Sequence, residues 1–138
     1  MITINYLAVL VAAIGSMILG ALWYGPLFGK KWSEMMGWST MSPEQTAEMK
    51  KGATKSYLWM FLGSLVTAYV MAHVVWAFKA MDFSTGLQAG FWMWLGFIAT
   101  TTLGSVLWEG KSMKLWLLNH GYNMLNLCWM GVLLAIWQ

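Results

Sequence analysis

The sequence predicts an all-α integral membrane protein with four transmembrane helices, and three observations support this fold class. Hydrophobic residues make up 59% of the 138 residues and charged residues only 9%, whereas a soluble domain carries about 25% charged residues. Four apolar runs are long enough to cross a hydrocarbon core of roughly 30 Å. The lysines are also sorted into alternate loops between these runs, a pattern typical of multi-pass membrane proteins.

The predicted spans cover about residues 4–24, 57–78, 87–108 and 115–137. Each run ends near an aromatic residue, as expected for helices anchored at the membrane interface. The first run has no basic segment before it and is long enough to span, so we interpret it as a retained helix rather than a cleaved signal. The chain is therefore expected to form one four-helix transmembrane domain over residues 1–138.

The segment between the first two spans, residues 27–56, is predicted to be an amphipathic and helical cytoplasmic insert. Gly25 and Pro26 end the first helix, because proline lacks an N–H and restricts the residue before it. Residues 27–38 then place large apolar side chains on one helical face and lysines on the other, which predicts a short interfacial helix. Ser42 and Gln45 are spaced as a capping box, which predicts the start of a cytosolic helix.

Small residues recur at every fourth position in two of the predicted spans. Such a spacing lines one helix face and lets a second backbone approach closely. These faces are expected to pack against other helices, and a single copy would leave them partly uncovered, so we expect a homodimer or a higher oligomer. The packing-face residues are Ala12, Ser16, Gly20, Gly96 and Gly104.

The lysine distribution predicts the orientation in the membrane. Seven of the eight lysines lie in the loops 25–56 and 109–114, and only Lys79 lies on the other side. The positive-inside rule therefore places these two loops in the cytoplasm and both termini outside, most simply in the cell membrane. Because the lysines are sorted by side and are not gathered in a groove with aromatics, nucleic acid is not an expected partner.

Several segments of the chain together carry a family resemblance. They are Leu19 to Lys30 with Trp32, Trp94 to Phe97 continuing through Thr100 to Gly104, Trp108 to Lys111, Leu118-Asn119 and Gly121-Tyr122. These segments resemble a family of small bacterial and fungal membrane proteins catalogued as domain of unknown function 1761. The resemblance covers nearly the whole chain, and it implies a four-helix membrane protein without an established activity or catalytic residues.

The strongest polar anomaly lies in the last apolar run. Asn119, Asn123 and Asn126 are spaced by four and three residues, so they share one helix face, and His120 lies beside it. Hydrocarbon cannot solvate three carboxamides, so they must meet protein or water. One interpretation is interhelical packing, with the asparagines bonded to hydroxyls such as Thr101 on the third span; the other is a polar cavity for a ligand or a hydrated path.

Other chemistry has little support in the sequence. Glu109 is interpreted either as a simple interfacial ion pair with the nearby lysines or as a proton or cation site paired with His120. His73, Cys128 and the thirteen methionines show no metal-ligand spacing, so we expect no metal and no cofactor. No nucleophile, base and acid arrangement stands out, so an enzyme is not expected.

Two functions remain open from the sequence. The first is a small channel, a transporter or an apolar-ligand-binding bundle that uses the polar seam of the fourth helix. The second is a structural or accessory membrane protein whose polar groups only fix helix packing and oligomerisation.

Overall fold

Helices account for nearly all of the regular structure in the computed structural model, which describes residues 1–138 and contains no strand. The helices are α1 (Tyr6–Leu22), α2 (Gly29–Met35), α3 (Pro43–Lys51), α4 (Ala53–Ala77), α5 (Phe83–Trp94), α6 (Thr100–Thr102), α7 (Gly104–Leu107) and α8 (Met113–Ile136). π-helical turns at Trp23–Leu27 and Leu95–Ala99 extend α1 and join α5 to α6.

The number of spans needs a correction. Three helical stretches are long and apolar enough to cross a membrane, Tyr6–Leu27, Ala53–Ala77 and Phe83–Leu107, with mean hydropathies of 2.1, 1.7 and 1.3. The sequence predicts a fourth span at residues 115–137. The helix is present as α8, but three asparagines and a histidine lower its hydropathy, so composition alone supports three spans.

The insert between α1 and α4 is helical, as expected, but its last residues belong to α4. Ser42 caps α3 through both bonds of the predicted capping box, which confirms the expected helix start. α4 begins at Ala53, directly after Gly52, so it includes four residues that were assigned to the insert. The indole of Trp32 in α2 packs on Tyr24 and Trp38, with ring centroids 5.0 and 4.4 Å apart.

The third predicted span is interrupted rather than straight. The π-helical turn Leu95–Ala99 separates α5 from α6, and Leu103 separates α6 from α7. Three consecutive threonine hydroxyls follow the turn and donate to carbonyls of their own helix: Thr100 to Gly96, Thr101 to Phe97 and Thr102 to Ile98. These bonds satisfy polar groups inside an irregular apolar helix.

Burial inside the molecule is sparse, as expected for a bundle whose outer faces meet lipid. Only 20 of the 138 residues are buried; eight are alanines, and the larger buried side chains include Met130 and Val75. Large apolar side chains stay exposed along the three candidate spans, for example Phe97 at 68% and Val66 at 64%. An apolar surface of this extent indicates a membrane or protein environment rather than water.

Candidate functional site

α8 is the helix around which the other long helices pack. It contacts α1, α4 and α5, and its buried residues include Leu118, Leu127 and Met130. None of its three asparagines is exposed. The polar residues that lower the hydropathy of α8 therefore lie against protein, where partners can satisfy them.

Tryptophan side chains tie α8 to its neighbours. The indole N–H of Trp23 donates to the carbonyl of Leu118 at 3.0 Å, and that of Trp94 donates to the carbonyl of His120 at 2.8 Å. From α8, Trp129 donates to the carbonyl of Ala12 at 3.2 Å. Each bond satisfies an indole donor that would otherwise be unpaired inside the bundle.

Glycines bring α5 and α8 together at the end of the bundle away from the α7–α8 loop. A Cβ added to Gly86 would lie 2.5 Å from the carbonyl oxygen of Gly131, and one added to Gly90 would overlap the carbonyl of Leu127. Backbone meets backbone here, a close approach that only glycine permits.

Beyond Trp94 the helices of the third candidate span diverge from α8, and a polar cavity lies between them. α5 packs along α8, whereas α6 and α7 make few close backbone contacts with it. The divergence follows the π-helical turn, a common cause of helix kinks. The cavity has a volume of about 410 Å³, and its lining is Thr101, Thr102, Gly104, Ser105, Glu109, Lys111, Ser112, Leu115, Trp116, Asn119 and His120.

The structure brings four of the residues singled out in the sequence to this cavity: Thr101, Glu109, Asn119 and His120. Glu109 pairs with Lys111 at 3.1 Å, and both side chains are about 60% exposed, so the ion pair lies at the mouth. Of the two interpretations of Glu109, the contact present is the ion pair with a nearby lysine, while His120 Nδ1 contacts Asn123 and not Glu109.

Two of the three asparagines have partners other than those expected, and the third has an unpaired carbonyl oxygen. Asn119 Oδ1 accepts from the Tyr24 hydroxyl at 2.9 Å, and Asn123 Nδ2 donates to His120 Nδ1 at 3.1 Å. Asn126 Oδ1 is buried without a hydrogen-bond partner. The hydroxyls of Thr100 to Thr102, which were the candidate partners, bond to their own helix carbonyls.

A second polar contact links α1, α4 and α8 beside the cavity. The Tyr122 hydroxyl donates to the carbonyl of Ser16 at 2.9 Å, and Ser16 Oγ lies 3.4 Å from Ser64 Oγ. Ser16 is 1% exposed and Ala12 is fully buried. A Cβ on Gly20 would lie 3.2 Å from Tyr122 Oη. These three packing-face residues of α1 therefore face other helices of the same chain.

The packing-face residues of the third span have different surroundings. A Cβ on Gly96 would have no atom within 4 Å, and one on Gly104 would meet only Trp108 at 3.7 Å. Gly104 lines the cavity. The glycines of the third span that contact α8 are Gly86 and Gly90 instead.

Sequence reasoning did not single out the aromatic residues of the site. Tyr24 and Trp116 were not among the predicted site residues, but Tyr24 bonds to Asn119, and the Trp116 indole donates to Thr102 Oγ1 at 3.0 Å across the cavity. Trp116 lies one helical turn before Asn119 on α8, so helical periodicity was an available signal for it, whereas Tyr24 lies at the end of another helix, 95 residues from Asn119 in the chain. Chain separation alone does not reveal such pairs.

No group of three or more histidine, cysteine or acidic side chains lies close enough to hold a metal ion. His73 Nδ1 lies 2.9 Å from the carbonyl of Tyr69, one turn earlier in the same helix. Cys128 is half-buried, with its Sγ 3.9 Å from the carbonyl of Leu87.

Comparison with known proteins gives one relationship. Neither curated proteins nor solved structures yielded a match. A family model described as a protein of unknown function (DUF1761) matches residues 7–135. This match contains every segment that carried the resemblance in the sequence. The chain belongs to this family of unknown function.

Proposed function

We propose that the protein is a multi-pass membrane protein in which α8 forms a fourth span, and that the polar cavity is the solute-binding site of a small channel or transporter. The proposal of a fourth span rests on the length of the molecule along which α8 extends. Near its start, the backbone N–H of Lys111 donates to the carbonyl of Ser105. Near its end, Gln138 Nε2 donates to the carbonyl of Ala80 in the turn between α4 and α5.

These two contacts lie at opposite ends of the third candidate span, Phe83–Leu107. If that span crosses the membrane, α8 runs across the same depth. The polar face of α8 is covered by protein, so a low hydropathy does not prevent insertion as an inner helix. The lysine distribution supports a cytoplasmic position for the loops 25–56 and 109–114, with both termini outside and the cell membrane as the location.

The cavity carries the second part of the proposal. Its volume of about 410 Å³ lies within the range of ordinary ligand pockets, about 300–1,000 Å³. Only two of its eleven lining residues are hydrophobic. This lining favours a polar solute over the apolar ligand that the sequence also allowed. We propose no catalytic step, because the lining groups have no nucleophile paired with a base.

A structural or accessory role is the second candidate. The contacts that favour it are Tyr24 with Asn119 and the Ser16, Ser64 and Tyr122 cluster. They join helices of the same chain and need no ligand to do so. Under this alternative the cavity would have no solute, and filling it would leave the protein's behaviour unchanged.

A cavity-filling variant distinguishes the two roles. Ser105→Trp places an indole in the cavity, while Leu107→Trp adds the same group on α7 at a side chain that is 65% exposed. The assay is the permeability of proteoliposomes to glycerol, urea, potassium and chloride. We expect the wild type and Leu107→Trp to raise permeability to at least one of these solutes, and Ser105→Trp to remove the increase. No increase in the wild type, or an equal increase in Ser105→Trp, would support the structural role.

We also propose a homo-oligomer, on narrower grounds than the sequence suggested. The α1 face is covered within one copy, but Gly96 faces open space and Phe97 beside it is 68% exposed. A second copy can approach closely at such a position. Gly96→Leu should shift the protein to a smaller species in detergent by light scattering, and an unchanged mass would contradict this interface.

A further inference from the structure

The hydrogen-bond partners of the cavity residues determine which groups remain for a ligand. On the α8 wall, the carbonyl oxygen of Asn119 already accepts from Tyr24, so its NH2 group remains as a donor. His120 Nδ1 lies 3.1 Å from Asn123 Nδ2. An amide nitrogen can only donate, so Nδ1 accepts and the ring proton is on Nε2. The α8 wall therefore offers N–H donors.

The opposite wall offers acceptors. The hydroxyl of Thr101 donates to the carbonyl of Phe97, and that of Ser105 donates to the carbonyl of Thr102 at 2.8 Å. A hydroxyl has one hydrogen, so both oxygens retain only their lone pairs. Thr102 is occupied on both sides, because it donates to Ile98 and accepts from Trp116.

The walls carry no uncompensated charge. The only acidic and basic residues of the lining, Glu109 and Lys111, pair with each other at the exposed mouth. His120 is neutral when its Nδ1 accepts a hydrogen bond. An ion that left water for this cavity would lose its hydration without gaining a free counter-charge, which is unfavourable.

We infer that the cavity selects small uncharged solutes that carry both a hydrogen-bond donor and an acceptor, such as a carboxamide. The donor of the solute meets Thr101 and Ser105, and its acceptor meets Asn119 and His120. This inference rests on the proposed function, because it names the class of solute for the same cavity.

Three probe molecules of nearly equal size but different charge test whether the cavity selects neutral solutes. Acetamide is neutral and has a donor and an acceptor; acetate is an anion with acceptors only; acetamidinium is a cation with donors only. Binding of each is measured by saturation-transfer NMR on the full chain in nanodiscs, with empty nanodiscs as the blank. We expect acetamide to bind at least tenfold more tightly than either ion, and to lose its signal in Ser105→Trp.

Two neighbouring threonines provide a matched control for the acceptor wall. Thr100 and Thr101 both donate to their own helix carbonyls, but only Thr101 lines the cavity. Valine is close in shape and removes the hydroxyl. Thr101→Val should weaken acetamide binding roughly 2- to 10-fold, the usual effect of one lost hydrogen bond, while Thr100→Val should leave it unchanged. Equal effects would overturn the assignment of Thr101 to the binding wall.

The remaining outcomes separate this inference from the proposed function. If acetate or acetamidinium binds as tightly as acetamide and is lost in Ser105→Trp, the preference for neutral solutes is wrong and the cavity remains a solute site. If no probe gives a signal that depends on Ser105, both the inference and the proposed solute site are wrong.

Discussion

The contact between α5 and α8 gives a prediction whose size follows from the structure. A Cβ on Gly90 would overlap the carbonyl of Leu127 and would lie 2.7 Å from the Cα of Cys128. Backbone atoms cannot rotate away as a flexible side chain can. Gly90→Ala must therefore push α5 and α8 apart by about 1 Å to reach an ordinary carbon contact.

The expected destabilisation combines two opposing effects. Overpacking of a close-packed contact costs about 1–3 kcal/mol, while replacing glycine by alanine in a helix contributes about 0.5–1 kcal/mol of stability. Gly63 in α4 provides the control, because a Cβ there would meet no atom within 4 Å. Gly63→Ala receives only the favourable effect, so the difference between the two variants isolates the overpacking cost.

The single cysteine allows the contact itself to be followed. Cys128 is half-buried on α8 beside Leu87, so a thiol-reactive fluorogenic dye reports the separation of α5 and α8 during heating in detergent. We expect Gly90→Ala to unfold at a lower temperature than the wild type, and Gly63→Ala to unfold at the same or a higher temperature. If Gly90→Ala is as stable as Gly63→Ala, the close backbone approach is refuted.

Three further predictions concern polar groups. Asn126→Leu should leave thermal stability in detergent unchanged or raise it, because the buried Oδ1 has no partner to lose; a marked loss would mean that the amide has a partner. Tyr24→Phe should lower the free energy of unfolding by about 1 kcal/mol, because it removes the hydrogen bond to Asn119 and leaves the side-chain carbonyl of Asn119 unpaired. An unchanged free energy of unfolding would show that this bond does not hold the helices together. Hydrogen bonds from the backbone and side chain of Thr85 lower the pKa of Asp82 below its usual value. The ionised Asp82 cap should therefore stabilise the fold at any pH above the unfolded-state pKa of about 3.9. This stabilisation should be lost as the pH falls through the lower folded-state pKa. Unfolding temperatures measured against pH should therefore decrease on the acid side in the wild type and less so in Asp82→Asn; equal slopes would contradict the cap.

The sequence was sufficient for features that depend on neighbouring residues. The capping box of Ser42 and Gln45 and the end of α1 near Pro26 follow from local backbone chemistry. The shared face of the asparagines follows from helical periodicity, which left two alternatives open, interhelical bonds and a polar cavity; Asn119 bonds to Tyr24 and also lines the cavity. The capping box, the helix end and the shared face of the asparagines each require only residues within about two helical turns.

Features that depend on packing between distant segments were not accessible in the same way. Gly86 and Gly90 have the four-residue spacing that lets helices approach closely, but Gly96 and Thr100 share that spacing, and only the register of α5 against α8 decides which glycines meet the backbone of α8. The π-helical turn Leu95–Ala99 has no proline or charge to mark it. A hydropathy value reflects only the composition of α8, whereas its polar face is covered by the helices that pack against it.

We propose that α8 crosses the membrane as the inner helix that carries the polar cavity. The most direct test is the sidedness of single cysteines placed at Ser112 and Gln138, at the two ends of α8, in a Cys128→Ala background. A membrane-impermeant thiol reagent on intact cells should label the cysteine at position 138 and not the one at 112, and inside-out vesicles should show the reverse. Reversed labelling of both sites would correct the orientation and keep the crossing. Labelling of both positions from the same side would show that α8 does not cross the membrane.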